Sequence, residues 1–192
     1  GRLARPFLER AAWCLARRPD LRLVVPLVSP RLRGLFEKIL VESGLEARFA
    51  LTASATATAL TLVDGQGREA MTAADLVLSA SGTATLEALL LQRPLVVGYR
   101  VDPLTYWLVK TLKLIKVPHV AMANLLAGEE LAPEFLQDRC RAELMGPALL
   151  ALLDDPERVA AIRATYARIH GELRRDASRQ AAKALLELVP GG

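Results

Sequence analysis

The chain has 192 residues, with 25 Lys+Arg against 21 Asp+Glu, two His, two Cys and an apolar content of 52%. That length suits one domain, and a charged fraction of 24% beside so many apolar residues excludes wholesale disorder. No run approaches the roughly 18 apolar residues of a membrane span, and no charged-then-apolar opening is seen, so neither a span nor a secretory signal is expected. Cys14 and Cys140 are single, distant thiols, which argues against a disulfide framework or zinc site and for a reducing cytosol. The net charge of +4 is scattered and rich in Arg. It suits a nucleotide phosphate, a phospholipid surface or a nucleic acid, and charge alone does not choose among them. No RNP, zinc-finger or helix-turn-helix pattern accompanies it.

Residues 3–17 carry apolar positions at helical spacing (Leu3, Phe7, Leu8, Ala11, Leu15), with Pro6 tolerated in a first turn. LRLVVPLV (21–28) is a near-continuous apolar run of the kind buried on both faces of a parallel sheet. Residues 30–43 return to helical period and stop at Gly44, a natural C′ residue. The Ala/Thr-rich stretch 46–57 has no firm period and leads into a strand at 58–63. DGQGREAM (64–71) then reads as a Gly-punctuated turn opening a short helix. Next come a strand at 75–80, a helix at 83–92, a strand at 94–99 and a helix at 102–116. Residues 119–124 read as extended or loop-like, and 129–153 as mostly helical. The tail 156–189 is helical, with a break near 171–176. This alternation predicts an α/β domain, a Rossmann-like parallel sheet with flanking helices. The first helix has no strand before it, so the chain reads as a fragment.

Ligands of open parallel sheets bind beyond the carboxyl ends of the strands, and three junctions there have suitable chemistry. Gly65-Gln66-Gly67-Arg68-Glu69-Ala70 formally matches a dinucleotide fingerprint. The match is weak, because Glu87 falls inside a helix and Asp64 would face the pyrophosphate. A tight turn is the better account. At the second junction, Ser81-Gly82-Thr83 opens a helix whose N–H groups and dipole suit a phosphate. Glu87 lies about 6 Å further along that helix, within reach of a ribose diol. An ordinary N-cap with an exposed Glu fits this pattern equally well. At the third, Asn124 sits among apolar residues, where hydrogen bonding alone makes an amide cheap to bury; a turn or cap Asn is the commoner reading.

Helix 102–116 places Leu104, Leu108, Leu112 and Ile115 on one stripe. Lys110, Lys113 and Lys116 lie opposite, with Tyr106 and Trp107 on the flanks. That is the look of a membrane-surface helix, and also of a core helix with a basic outer face, which is the commoner case. His119 and His170 lack any metal-ligand spacing. No G-x-S-x-G elbow or Walker A sequence occurs. Asp154-Asp155 before Pro156 reads as a helix start.

Taken together, DGQGREAM (64–71), ASGTATLEALLLQRPLVVGYR (80–100) and NLLAG (124–128), followed by Glu130, Leu131 and Cys140, resemble the carboxyl-terminal half of the lipid-A-disaccharide synthases. The similarity runs over nearly the whole chain and is weakest at 46–57. Ala123 stands where the family generally has Pro, and Glu129 where it often has Arg.

The resemblance implies the carboxyl-terminal domain of a GT-B glycosyltransferase. Residues 1–155 would be the nucleotide-sugar-binding domain and 156–192 a carboxyl-terminal helical tail. The family transfers 2,3-diacylglucosamine from UDP-2,3-diacylglucosamine to 2,3-diacylglucosamine 1-phosphate, giving the β-1,6-linked lipid A disaccharide 1-phosphate and UDP. Ser81, Gly82 and Thr83 would hold the diphosphate and Glu87 the ribose, with Gly65, Gly67 and Arg68 bordering the uracil. Arg100 and Asn124 would lie near the donor phosphate and sugar, Asn124 with a strong effect on turnover.

In the reaction so implied, the acceptor 6-hydroxyl attacks the anomeric carbon from the face opposite UDP. A general base is needed, and departing UDP would be neutralised by helix N-termini, amides or Arg, with no cofactor or metal. The base and a Pro-Gly-Ser-Arg segment belong to the family's other half, so these 192 residues are expected to bind UDP without catalysing transfer. Acylated substrates also favour membrane contact through Trp107, Lys110 and Lys113. A peripheral enzyme on the cytoplasmic face of a Gram-negative inner membrane follows, with no nucleic-acid partner. The carboxyl-terminal helices could pack on the other domain or on a second subunit. Other readings remain: another UDP-sugar transferase of GT-B type, a non-catalytic nucleotide-binding domain, or an NAD-dependent dehydrogenase.

Overall fold

The computed structural model describes residues 4–49, 59–80, 82–100, 119–174 and 180. Helix α1 (Ala4–Leu15) leads to β1 (Leu23–Leu27), α2 (Pro30–Glu42) and the single turn α3 (Glu46–Phe49). Then follow β2 (Leu60–Asp64), α4 (Gly67–Ala73), β3 (Val77–Ser79), α5 (Thr83–Leu90) and β4 (Leu95–Tyr99). After residue 119 come α6 (Met122–Ala127), β5 (Glu134–Leu136), a 3-10 turn (Gln137–Arg139), α7 (Ala142–Leu153) and α8 (Pro156–Leu173). Every strand pairing among the described residues is parallel: β1 with β2 in one sheet, and β4 between β3 and β5 in another. The expected α/β architecture, parallel strands flanked by helices, is what the chain adopts.

Local chemistry explains the boundaries. Ser29 caps α2, its Oγ accepting from the Leu32 N–H at 3.3 Å, and Pro30 occupies the first turn, where its missing N–H costs nothing. Gly44 ends that helix at φ +66°. Asp155 caps α8 by accepting from the Arg158 N–H at 2.9 Å, with Pro156 after it. Of the Asp154-Asp155 pair, Asp155 is therefore the helix start, while Asp154 is the C-cap of α7 and pairs with Arg18.

Two stretches differ from the sequence expectation. Residues 129–153 are helical over 142–153, with a 3-10 turn at 137–139, but not over 129–136, because Pro133 has no N–H to donate and disfavours helical φ/ψ at Ala132. The Pro133 carbonyl instead accepts from the Val97 N–H at 2.9 Å and starts β5 along β4. Helix α7 begins only at Ala142. Residues 119–124 are not wholly extended either: Met122 opens α6, which Gly128 ends at φ +75°. Residues 50–58 and the amphipathic stretch 102–116 lie outside the described residues.

β4 is the spine of the core: Leu95, Val96 and Val97 are fully buried, packed with Ala88 and Leu89 of α5, Met145 of α7 and Tyr166 of α8. A second cluster joins Leu8, Ala12 and Leu15 of α1 to Leu27, Phe36, Phe49 and Ala59, and Leu21 packs against both. β1 is less covered than β4, with Val24 47% exposed. No helix among the described residues is long and apolar enough to cross a membrane.

The two core clusters are joined where α1 lies on α7. A Cβ at Gly146 would overlap the Trp13 ring, whose Cε3, Cζ3 and Cδ2 are its nearest atoms. The atoms met are those of the fused ring itself and not the far end of a flexible side chain, so the overlap is not cheaply relieved. Gly146→Ala should therefore destabilise the chain by about 1 kcal/mol or more. The cost of overpacking exceeds the roughly 1 kcal/mol of helix propensity that Ala adds. Urea denaturation checks this, and an unchanged or higher midpoint would contradict the packing described.

Candidate functional site

The carboxyl ends of β3, β4 and β5 converge on the segments that the sequence singles out. After β3 the chain turns through Gly82 into α5. Gly82 has φ +122°, a conformation open only to glycine, although a Cβ there would meet nothing within 4 Å. The backbone, not space, demands the residue. No side chain caps α5, and Gly82, Thr83 and Glu87 are exposed. Thr83 and Glu87 stand one turn apart on the same helix. Ser81 lies outside the described residues.

Beneath this surface, polar side chains tie the junction to the next two elements. Thr85 is fully buried; its Oγ1 donates to the Gly82 carbonyl at 2.8 Å and accepts from the Met122 N–H at 3.1 Å. The first turn of α5 is thereby joined to the start of α6. Asn124, 0% exposed, uses its whole amide: Nδ2 donates to the Ala132 carbonyl at 2.7 Å and to Glu134 Oε1 at 2.8 Å. Its Oδ1 accepts from the Leu131 and Ala132 N–H groups at 2.9 and 2.8 Å. Glu134, on β5, also accepts from the Val120 and Ala121 N–H groups, each at 2.9 Å. His119 Nδ1 lies 4.0 Å from the same carboxylate.

The sequence reading missed Thr85 and Glu134. Glu134 fell inside a presumed helix, although Pro133 beside it was a signal that no helix passes there. Asn124 is where the sequence reading expected a hydrogen-bonding role. In this arrangement it holds backbone, and no atom of it reaches the surface.

At the β2–α4 turn, Gly65 has φ +68° and its N–H donates to the Leu27 carbonyl at 2.8 Å, stitching the turn to β1. Gly67 opens α4, and Arg68 is exposed. Asp64 is held by Arg33, whose Nε and Nη2 approach the two carboxylate oxygens at 2.9 and 3.2 Å. This guanidinium offsets the charge that would oppose a phosphate at this turn. Arg100, beyond β4, is exposed and its Nε donates to the Gln137 carbonyl at 3.3 Å. Gln137 itself takes a left-handed backbone at φ +49°, uncommon outside glycine. Trp107, Lys110 and Lys113 lie outside the described residues, and no cluster of potential metal ligands occurs among those that are described.

Asn124→Ala would strand the Leu131 and Ala132 N–H groups and remove one donor from Glu134. We expect a loss of about 2 kcal/mol or more in urea denaturation. Asn124→Asp should be at least as damaging, since it sets a second carboxylate against Glu134. Wild-type stability in both variants would contradict the described network.

A family model described as lipid-A-disaccharide synthetase matches residues 1–189. The chain is 45% identical over 190 residues to a lipid-A-disaccharide synthase of Alkalilimnicola ehrlichii, covering 99% of this chain and 46% of that protein. It is 46% identical over 190 residues to that of Xanthomonas campestris pv. campestris, covering 98% and 41%. Against that of Erwinia tasmaniensis it is 45% identical over 186 residues, covering 97% and 45%. The chain spans less than half the length of these relatives. With its parallel α/β fold and near-complete match, the chain belongs to the lipid-A-disaccharide synthetase family.

Proposed function

We propose that this chain is the donor-binding half of a glycosyltransferase of lipid A biosynthesis. The reaction transfers 2,3-diacylglucosamine from UDP-2,3-diacylglucosamine to 2,3-diacylglucosamine 1-phosphate, with release of UDP. The observation that carries the reading is the β3–α5 junction. A glycine in a conformation closed to other residues opens a helix that no side chain caps, and exposed Thr83 and Glu87 flank the approach. Phosphate oxygens accept from such a helix start and are favoured by its dipole.

In this reading Ser81, Gly82 and Thr83 hold the diphosphate and Glu87 accepts from the ribose hydroxyls. Gly65, Gly67 and Arg68 border the uracil, and Arg100 stands by the donor phosphate. Departing UDP gains negative charge as the glycosidic bond breaks, and fixed N–H groups with Arg100 stabilise it in place of a metal. Asn124 acts as a positioning residue: its bonds to residues 131, 132 and 134 hold α6 against Thr85 and so hold the first turn of α5. The general base and the remaining acceptor contacts belong to residues outside this chain. The 192-residue chain alone is therefore expected to bind UDP without turnover.

Calorimetric titration with UDP, with NAD as control, tests the reading. Glu87→Ala should weaken UDP binding by about ten-fold, the loss of one or two hydrogen bonds to a charged group. NAD should give no signal. Undiminished UDP binding in the variant, or NAD binding in its place, would overturn it.

The reading also places the enzyme on the cytoplasmic face of the inner membrane through Trp107, Lys110 and Lys113, because both substrates are acylated. Co-sedimentation with anionic vesicles should fall on Trp107→Ala with Lys113→Glu, and unchanged sedimentation would remove that part.

A further inference from the structure

Arg10 is the largest fully buried polar side chain among the described residues, 1% exposed on the face of α1 that seals against α7. Its bonds are poor ones for a cation. Nε approaches Met145 Sδ at 2.9 Å, and Nη2 donates to the Cys140 carbonyl with Cys140 Sγ at 3.5 Å. Nη1 has no partner. No carboxylate is hydrogen-bonded to Arg10 among the described residues, and Glu9 beside it pairs with Arg5 at 3.2 Å. Burial lowers the Arg10 pKa; Arg100 adds to that effect, while Cys140, Glu9 and Glu143 oppose it. A buried guanidinium with a free N–H and no counter-ion is a costly arrangement, and an anion close by would relieve it.

A place for that anion adjoins it. A cleft of about 390 Å³ lies between α1 and the start of α7, within the range of ligand pockets. Arg10, Arg17, Arg100 and Arg141 line it against Glu9 and Glu143, an excess of two positive charges. Arg17 stacks on the Trp13 ring at 3.6 Å and forms a flat wall. Guanidinium forks match phosphate oxygens in geometry as well as charge. No lining residue comes from the β3–α5 junction, and Arg100 alone is shared with the place assigned to UDP, so the cleft adjoins that place without coinciding with it.

We propose that this cleft is a subsite for a phosphomonoester dianion, with Arg10 as its buried floor and Arg100 and Arg141 at its entrance. That the phosphomonoester is the acceptor sugar 1-phosphate rests on the function proposed above; the anion site does not.

The test is titration of the 192-residue chain with glucosamine 1-phosphate and with inorganic phosphate, each with and without saturating UDP. Arg10→Met and Arg141→Ala are run beside the wild type, with circular dichroism as the fold control. Wild type should bind glucosamine 1-phosphate, and each substitution should weaken it by about ten-fold. The UDP affinity of the Arg141→Ala variant should stay unchanged. Tighter binding of the sugar phosphate than of phosphate assigns the site to the acceptor, and equal binding assigns it to free phosphate. If Arg10→Met does not fold, Arg141→Ala decides. The proposal is overturned if no binding is seen up to about 10 mM ligand, a Kd weaker than specific recognition allows. It is equally overturned if the folded variants bind as the wild type does, or if UDP displaces the phosphate. Phosphate binding without UDP binding would count against the donor reading alone.

Discussion

A buried carboxylate organises the elements beneath the candidate site. Glu134 is enclosed on β5, its side chain 8% exposed, and is met by the Val120 and Ala121 N–H groups and the Asn124 amide. A charge so enclosed is tolerable only while its donors stay in place. The donors come from the approach to α6 and from α6 itself. Asn124 turns its remaining capacity to residues 131 and 132, closing the loop between α6 and β5 upon itself. Thr85 carries the constraint across to α5. The exposed residues that would meet a nucleotide therefore rest on a base whose polar atoms are nearly all accounted for. Preorganisation of that kind is what a site needs if its dipoles are to stabilise charge as it develops.

The same face shows the opposite condition a few residues away. Around Arg10 the groups are sulfur atoms, one carbonyl and an unpartnered N–H. One region is polar and satisfied, the other polar and incomplete. The first serves as scaffolding, and the second is where the anion subsite is proposed. Arg100 takes part in both, bonded to the 3-10 turn after β5 and lining the Arg10 cleft.

Much of the fold was legible in apolar runs: 94–99 contains β4, buried as such a run predicts, and 21–28 contains β1, although β1 is only partly covered, with Val24 47% exposed. Helix caps were legible through Gly44, Pro156 and the residues before them. β5 was not, because its three residues, Glu-Phe-Leu, carry no period and lie between stretches with helical spacing. Its existence depends on pairing with β4, and Pro133 was the only local sign. The exposed half of the candidate site, Gly82, Thr83 and Glu87, could be read from a strand running into small residues and a helix start. Thr85, Glu134 and Arg10 could not, since their meaning comes from partners far along the chain: 37 residues for Thr85 to Met122, 130 for Arg10 to Cys140. Asn124 was visible as an amide in apolar company, but the direction of its bonds, toward backbone, is tertiary information.

The central claim is that the β3–α5 junction receives the nucleotide diphosphate. Hydrogen–deuterium exchange of the chain with and without saturating UDP addresses it directly. The account predicts slowed exchange across 82–87, with the already bonded amides at 131 and 132 little changed. Saturating UDP that leaves 82–87 exchanging at its ligand-free rate would contradict it.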